Sequence, residues 1–301
     1  MRWIDVGMLS GGLPMRVAVH EIRGARPGPT VGIVAGIHGD EIAPVEAIRR
    51  LVTELDLGEL AGRLVVVPVA NPLAFASHTR HTAQDMQNMN RVFPGDPEGW
   101  LTEQLAHRLV HEIVPELDAL IDMHAGGAMP TVDYVYIIND EGLSASCDTR
   151  MLYRGPGYAG TFSNVAAERG VRTVVTELGG GIAADGEYVE RNLRSLRNAL
   201  RYLDVLPGEV VDYGPQTVID ELQVIRPHAG GLLVPEVSAT QLGQSVSQGS
   251  LLGSVYNPQT FELLEEIRAP FDPTILILTR HAVTRTELGD YAFMVARTPG
   301  S

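Results

Sequence analysis

The sequence predicts an α/β fold, a mixed and mostly parallel sheet flanked by helices, followed by a smaller all-β region. Three observations carry this. Up to about residue 205, short apolar runs alternate with helical patterns. After Pro207-Gly208 the pattern holds only short β-rich pieces broken by glycine and proline. Finally, 301 residues with 45% hydrophobic and 20% charged content suffice for a packed core.

Taken in order, Thr30 to Gly36 reads as a short buried strand. Glu41 to Leu55 reads as a helix, with Ile42, Val45, Ile48, Leu51 and Leu55 at helical spacing. Arg63 to Ala70 is a second strand. Thr102 to Val114 is a helix opened by Thr102, with Glu103 in its first turn, and stopped by Pro115. Ala119 to Met123, Asp133 to Ile138 and Arg172 to Glu177 are further strands. Tyr188 to Leu203 is a helix with Leu193, Leu196, Leu200 and Leu203 along one stripe. Beyond it, Leu222 to Ile225, Leu232 to Val234, Ser250 to Val255, Phe261 to Ile267 and Thr274 to Leu278 read as strands. The expected domains are 1–207 and 208–301.

The formal net charge of −14 argues against nucleic acid and anionic membranes as partners. It does not exclude an anionic substrate, because a few buried arginines can invert the local potential. Cys147 stands alone, which rules out an internal disulfide and fits a reducing compartment. Met1 to Gly11 lacks the pattern of a secretion signal, and no apolar run approaches eighteen residues. A cytoplasmic location is expected, and a homo-oligomer is compatible with these features.

His38-Gly39-Asp40-Glu41 follows the first strand, and His124 closes the strand that starts at Ala119. Two imidazoles and a carboxylate are a ligand set for catalytic zinc, which uses three protein ligands and leaves a position for water. All three lie at strand ends or a helix start, where open α/β sheets bind ligands. Asp122, two residues before His124, is placed to orient a ligating imidazole. His107 and His111 share a helical face but lack a glutamate directly after the first histidine, and His78 and His81 flank Arg80 in a loop. Asn90-Arg91 offers an amide beside a planar guanidinium, a grip for a substrate carboxylate. Arg80 is a further cation able to stabilise an oxyanion. Glu177 ends a strand before Gly179, Gly180 and Gly181, well placed to face a cleft and move protons.

Together, Gly36 to Glu41, Asn71-Pro72, Asn90 to Gly95, Asp122 to His124 and Thr176 to Gly179 resemble the succinylglutamate desuccinylase/aspartoacylase family, relatives of the zinc carboxypeptidases. The resemblance implies a carboxypeptidase-like α/β core in 1–207 and a β-rich domain in 208–301 that caps the cleft. It implies one zinc per chain held by His38, Glu41 and His124, with Glu177 as general acid/base, Arg80 polarising the carbonyl, and Asn90 with Arg91 gripping a carboxylate. Asp40 stands where aspartoacylase-like members often carry asparagine, which points towards deacylases of N-acetylated diamino acids. Tyr256 and Tyr291 are the candidates for a pocket tyrosine from the C-terminal region. The expected reaction is hydrolysis of the amide of a small N-acyl amino acid, by water activated by zinc and Glu177. The alternatives are a zinc carboxypeptidase acting on small peptides and a non-catalytic module that binds metal or carboxylate.

Overall fold

The structure, a computed structural model, describes residues 1–180, 186–280 and 282–297. Gly181 and the last four residues of the expected second domain lie outside them. Four parallel strands form the centre of a large sheet: Ala61–Val67, Arg26–Val34, Ala119–His124 and Arg172–Gly180, side by side in that order. Strands covered on both faces carry near-continuous apolar sequence, and their alternate residues divide between two cores. Val31, Ile33 and Ile121 join Ile48, Leu51, Leu196 and Leu200 on one face. Val34, Val65 and Leu120 join Leu105, Leu109, Val110 and Phe162 on the other. Helices Ile42–Glu54 and Gly186–Tyr202 therefore cover one face, and Leu101–Ile113 and Phe162–Glu168 the other.

The sheet is mixed, as expected, but its parallel part is narrower than the sequence predicts. Arg2–Met8 and Pro14–Arg23 extend it antiparallel on one side. Pro130–Ile137, Thr274–Arg280, Phe293–Arg297 and Leu222–Ile225 extend it antiparallel on the other. A parallel neighbour needs a crossover, usually a helix. Past Tyr202 the described residues contain no α-helix, and the strands added there run antiparallel, except Thr217–Ile219, which pairs parallel with Met151–Tyr153.

The all-β C-terminal region contains a second sheet of Leu263–Arg268, Leu251–Tyr256, Gly231–Pro235 and Thr284–Thr286. Its other strands join the large sheet, which thus continues across position 207. The helix expected from Thr102 begins at Leu101. Thr102 lies inside it and is bound instead by Asp85, which accepts from its backbone N at 2.8 Å and its Oγ1 at 2.7 Å.

Candidate active site

The first strand ends at Val34, and the chain turns through Gly36 at φ +65°, a conformation that favours glycine. At Gly39 a Cβ would overlap the backbone of Ala74, so the loop closes tightly against helix Pro72–Ser77. Asn71 caps that helix, accepting from Ala74 N at 3.1 Å and donating to Thr82 Oγ1 at 2.9 Å. Glu41 is the residue before helix Ile42–Glu54, yet its carboxylate makes no cap hydrogen bond. The carboxylate turns to the two histidines instead: Oε1 lies 2.8 Å from His38 Nδ1 and Oε2 lies 2.9 Å from His124 Nδ1. All three residues are at most 2% exposed.

The outer partner of His38 fixes which of its ring nitrogens carries hydrogen. Asn88 Oδ1 can only accept, and it sits 3.1 Å from His38 Nε2. Asp122 Oδ1 sits 3.4 Å from His124 Nε2. With hydrogen on His38 Nε2, its Nδ1 presents a lone pair towards the Glu41 carboxylate, while His124 Nε2 lies between Asp122 Oδ1 and Asn90 Nδ2. A lone pair facing a carboxylate needs a proton or a cation between the groups. Donor atoms of His38, Glu41 and His124 all lie within 4.8 Å of one another, a set that fits a metal ion. Burial pushes His38 down to about 4, against the pull of Glu41. Burial also works against a charged His124, but Asp122 and Glu41 outweigh it and its pKa is raised. Burial would raise Glu41, and the two histidines overcome that and hold its carboxyl low.

Glu177, expected at a strand end, lies within strand Arg172–Gly180 and lines the same cleft as His38 and His124. Burial pushes its pKa up to about 8; His124 and Arg80 oppose this, while Glu41 and Asp122 add to it. Arg80 also lines the cleft, and its Nη1 donates to Glu41 Oε1 at 3.1 Å. Asn90 is buried, and both ends of its amide meet protein. Oδ1 accepts from Phe162 N at 3.0 Å, and Nδ2 lies 3.3 Å from His124 Nε2. Arg91 donates from Nη1 to Asn90 O at 2.6 Å and stacks over the Tyr158 ring at 4.3 Å.

The cleft has a volume of about 740 Å³, within the range of small-molecule sites. It separates the two candidate tyrosines: Tyr291 lines it, while Tyr256 pairs in the second sheet. His81 lines it as well. His107 and His111 stack on each other at 4.1 Å on helix Leu101–Ile113, away from the cleft. The sequence reading passed over Asn88, Tyr134, Tyr136, Arg226 and Arg280, and it read Asp40 only for the branch of the family. All six line the cleft. Asp40 accepts from Ala128 N at 2.9 Å and so ties the ligand loop to the turn after His124. Asn88 had one available signal, its place two residues before Asn90 in the same polar segment. Tyr134, Tyr136 and Arg280 lie on strands whose register the sequence does not fix, and Arg226 directly follows one.

Residues 27–203 match the family described as the succinylglutamate desuccinylase/aspartoacylase catalytic domain. An N-alpha-acetyl-L-2,4-diaminobutyric acid deacetylase from Halomonas elongata is 30% identical over 248 residues, covering 76% of this chain and 71% of that protein. A succinylglutamate desuccinylase from Serratia proteamaculans is 31% identical over 51% of this chain, which spans about half of that relative, 53%. Among solved structures, the product-bound ectoine utilization protein EutE (DoeB) from Ruegeria pomeroyi is similar with a TM-score of 0.85 at 25% identity, over 97% of this chain and 92% of that one. A succinylglutamate desuccinylase from a Silicibacter species gives a TM-score of 0.83 at 25% identity, over 96% and 91%.

Proposed function

The chain belongs to the succinylglutamate desuccinylase/aspartoacylase family, and from that premise we propose that it is a zinc-dependent hydrolase cleaving the amide bond of an N-acyl amino acid. The observation that carries the reading is the meeting of His38, Glu41 and His124 in the cleft that Glu177 and Arg80 also line. The relatives' names, a deacetylase and a desuccinylase, support an amide substrate of this class.

His38, Glu41 and His124 would hold one zinc. When bound, the ion supplies Lewis acidity and lowers the pKa of water from about 15.7 to about 7. Glu177 moves the protons. Burial raises its pKa in the metal-free cleft, towards the range where one carboxyl can both take and return a proton. It accepts the proton of the attacking water and returns it to the departing nitrogen. Arg80, anchored on Glu41, holds the developing oxyanion; losing one such donor typically costs about 3 kcal/mol. Arg91 grips a substrate carboxylate. Asn90, through Phe162 and His124, keeps that segment in register with the ligand histidine.

Residues 208–301 cap the cleft. Leu222, Val224 and Arg226 line it beside Arg280 and Tyr291, which supports a small substrate over a long peptide. Cys147 is buried and unpaired, in keeping with a reducing, cytoplasmic setting. No helix among the described residues is long and apolar enough to cross a membrane.

Elemental analysis of the purified protein, then an amine-release screen on that sample, tests the reading. The expected result is one zinc per chain, with release from N-acetyl or N-succinyl amino acids and none from a tripeptide panel. Zinc-loaded protein inert towards every acyl amino acid overturns it, and cleavage of tripeptides alone makes it a carboxypeptidase.

A further inference from the structure

Among the described residues, two pairs of histidines have their rings in contact. His38 and His124 belong to the cleft, with ring centroids 5.1 Å apart. His107 and His111 form the other pair, with centroids 4.1 Å apart and planes tilted by 42°. They lie four residues apart on helix Leu101–Ile113, so both side chains leave the same face of it. The other face carries Leu105, Ala106, Leu109, Val110 and Ile113 into the core. His107 is half-buried and His111 is exposed.

The backbone beneath the pair is held in place. Trp100 N donates to Glu103 Oε2 at 2.7 Å where the helix starts, and Asp85 anchors Thr102. Gly95 packs so tightly on the backbone of His107 that a Cβ there would overlap it. Two imidazoles fixed side by side need little further ordering to act together on one ligand.

Their nitrogens are also available. Asn88 and Asp122 face the Nε2 atoms of the cleft histidines. No hydrogen bond or ion pair among the described residues engages a ring nitrogen of His107 or His111. Burial, with His111 and Arg108 alongside, holds the His107 pKa below its ordinary value, against the pull of Asp96. A neutral imidazole keeps one nitrogen as a lone-pair donor to a metal. Two metal–nitrogen bonds of about 2.1 Å at a tetrahedral angle place the nitrogens about 3.4 Å apart, a spacing that rings with centroids at 4.1 Å can reach. Beside His107 opens a recess of about 200 Å³, lined also by Val6, Pro97, Gln104 and Arg108, with room for waters that complete a coordination shell.

We propose that His107 and His111 form a second metal site, separate from the cleft, that takes a divalent transition-metal ion through two imidazoles and water. Imidazole suits nickel, copper and zinc, whereas Mg²⁺ and Ca²⁺ demand oxygen ligands and are refused. With two protein ligands against three, and a place at the surface, the site binds more weakly than the cluster in the cleft and fills only when metal is in excess. It stands independently of the deacylase reading, because no residue lining the cleft takes part.

Calorimetry with Ni²⁺ tests the site, on the full chain after saturation with zinc and dialysis. The expected result is one saturable event that depends on both histidines, and none with Mg²⁺. His107→Gln and His111→Gln are each expected to weaken that event at least tenfold. The double variant is expected to lose no more than either single variant, because either change already breaks the chelate. Excess Ni²⁺ is expected to raise the melting temperature of the parent by binding the folded chain, and to raise that of the double variant less. No saturable event in the parent, parental affinity in either single variant, or an equal rise in melting temperature in the double variant overturns the proposal.

Discussion

His124 and Glu177 are register partners at adjacent positions on two neighbouring parallel strands. Partners in a parallel ladder project to the same face. The spacing between the proposed ligand imidazole and the proposed proton-moving carboxyl is therefore set by sheet geometry. His38 and Glu41 reach the same point by another route, from a tight loop and a helix start. The loop is held down by Gly39 N donating to Thr79 O at 2.9 Å. A rigid half and a loop-borne half thus meet at one cluster, and each can be tested separately.

Glu177→Ala removes the proposed proton carrier without touching a proposed ligand. General acid/base groups contribute on the order of 10² to 10⁴ in rate, and turnover of an N-acyl amino acid is expected to fall by that factor. Elemental analysis is expected to find the same zinc content as in the wild type. A variant with unchanged kcat would remove Glu177 from the mechanism.

Asn88 and Asp122 act one step further out. Each faces the Nε2 of a candidate ligand histidine, whose Nδ1 turns towards Glu41. Removing such a partner commonly lowers metal affinity about 10- to 100-fold. Asn88→Ala and Asp122→Ala are each expected to show that loss in a zinc competition titration. Affinity equal to wild type in both variants would show that the rings are held by packing alone.

Much of this arrangement was legible in the residues. The central strands announced themselves as apolar runs, and the candidate ligands His38 and His124 fall at or just past strand ends, where open sheets gather ligands. Asp122 was readable by its spacing from His124. The N-terminal hairpin was missed although Met15, Val17 and Val19 alternate into the core, a period-two signal in plain view. Phe162–Glu168 was missed because seven residues give too few turns for a helical period to register. Arg280 was illegible for a different reason. It reaches the cleft only through the pairing of Thr274–Arg280 with Pro130–Ile137, and no local pattern encodes that register.

Gly39 tests the loop-borne half. A Cβ there would overlap the Ala74 carbonyl, and backbone cannot yield as a flexible side chain does. Gly39→Ala is expected to cost about 1–3 kcal/mol, the usual penalty of overpacking, read as a lower melting temperature. It is also expected to displace His38 and so reduce zinc retention on dialysis. Full retention with unchanged stability would mean that the loop relaxes away from Ala74 without moving His38.

Protonation tests the cluster as a whole, in protein stripped of metal by a chelator. Burial raises Glu177 from about 4.5 to about 8. The folded state therefore holds this proton more tightly than the unfolded chain does. The resulting stability is fully present below about pH 4.5 and is lost as pH rises through 8. His38 runs the other way. Burial lowers it from 6.5 to about 4, so its contribution is present above 6.5 and is lost as pH falls through 4. The stripped protein is expected to be most stable between these two arms, at mildly acidic pH. Glu177→Gln cannot ionise, so it is expected to make the alkaline arm shallower, leaving the part that the raised His124 contributes, and to leave the acid arm in place. Melting temperatures from pH 4 to 9 on both proteins decide the matter, and parallel curves would mean that Glu177 is already ionised in the stripped fold.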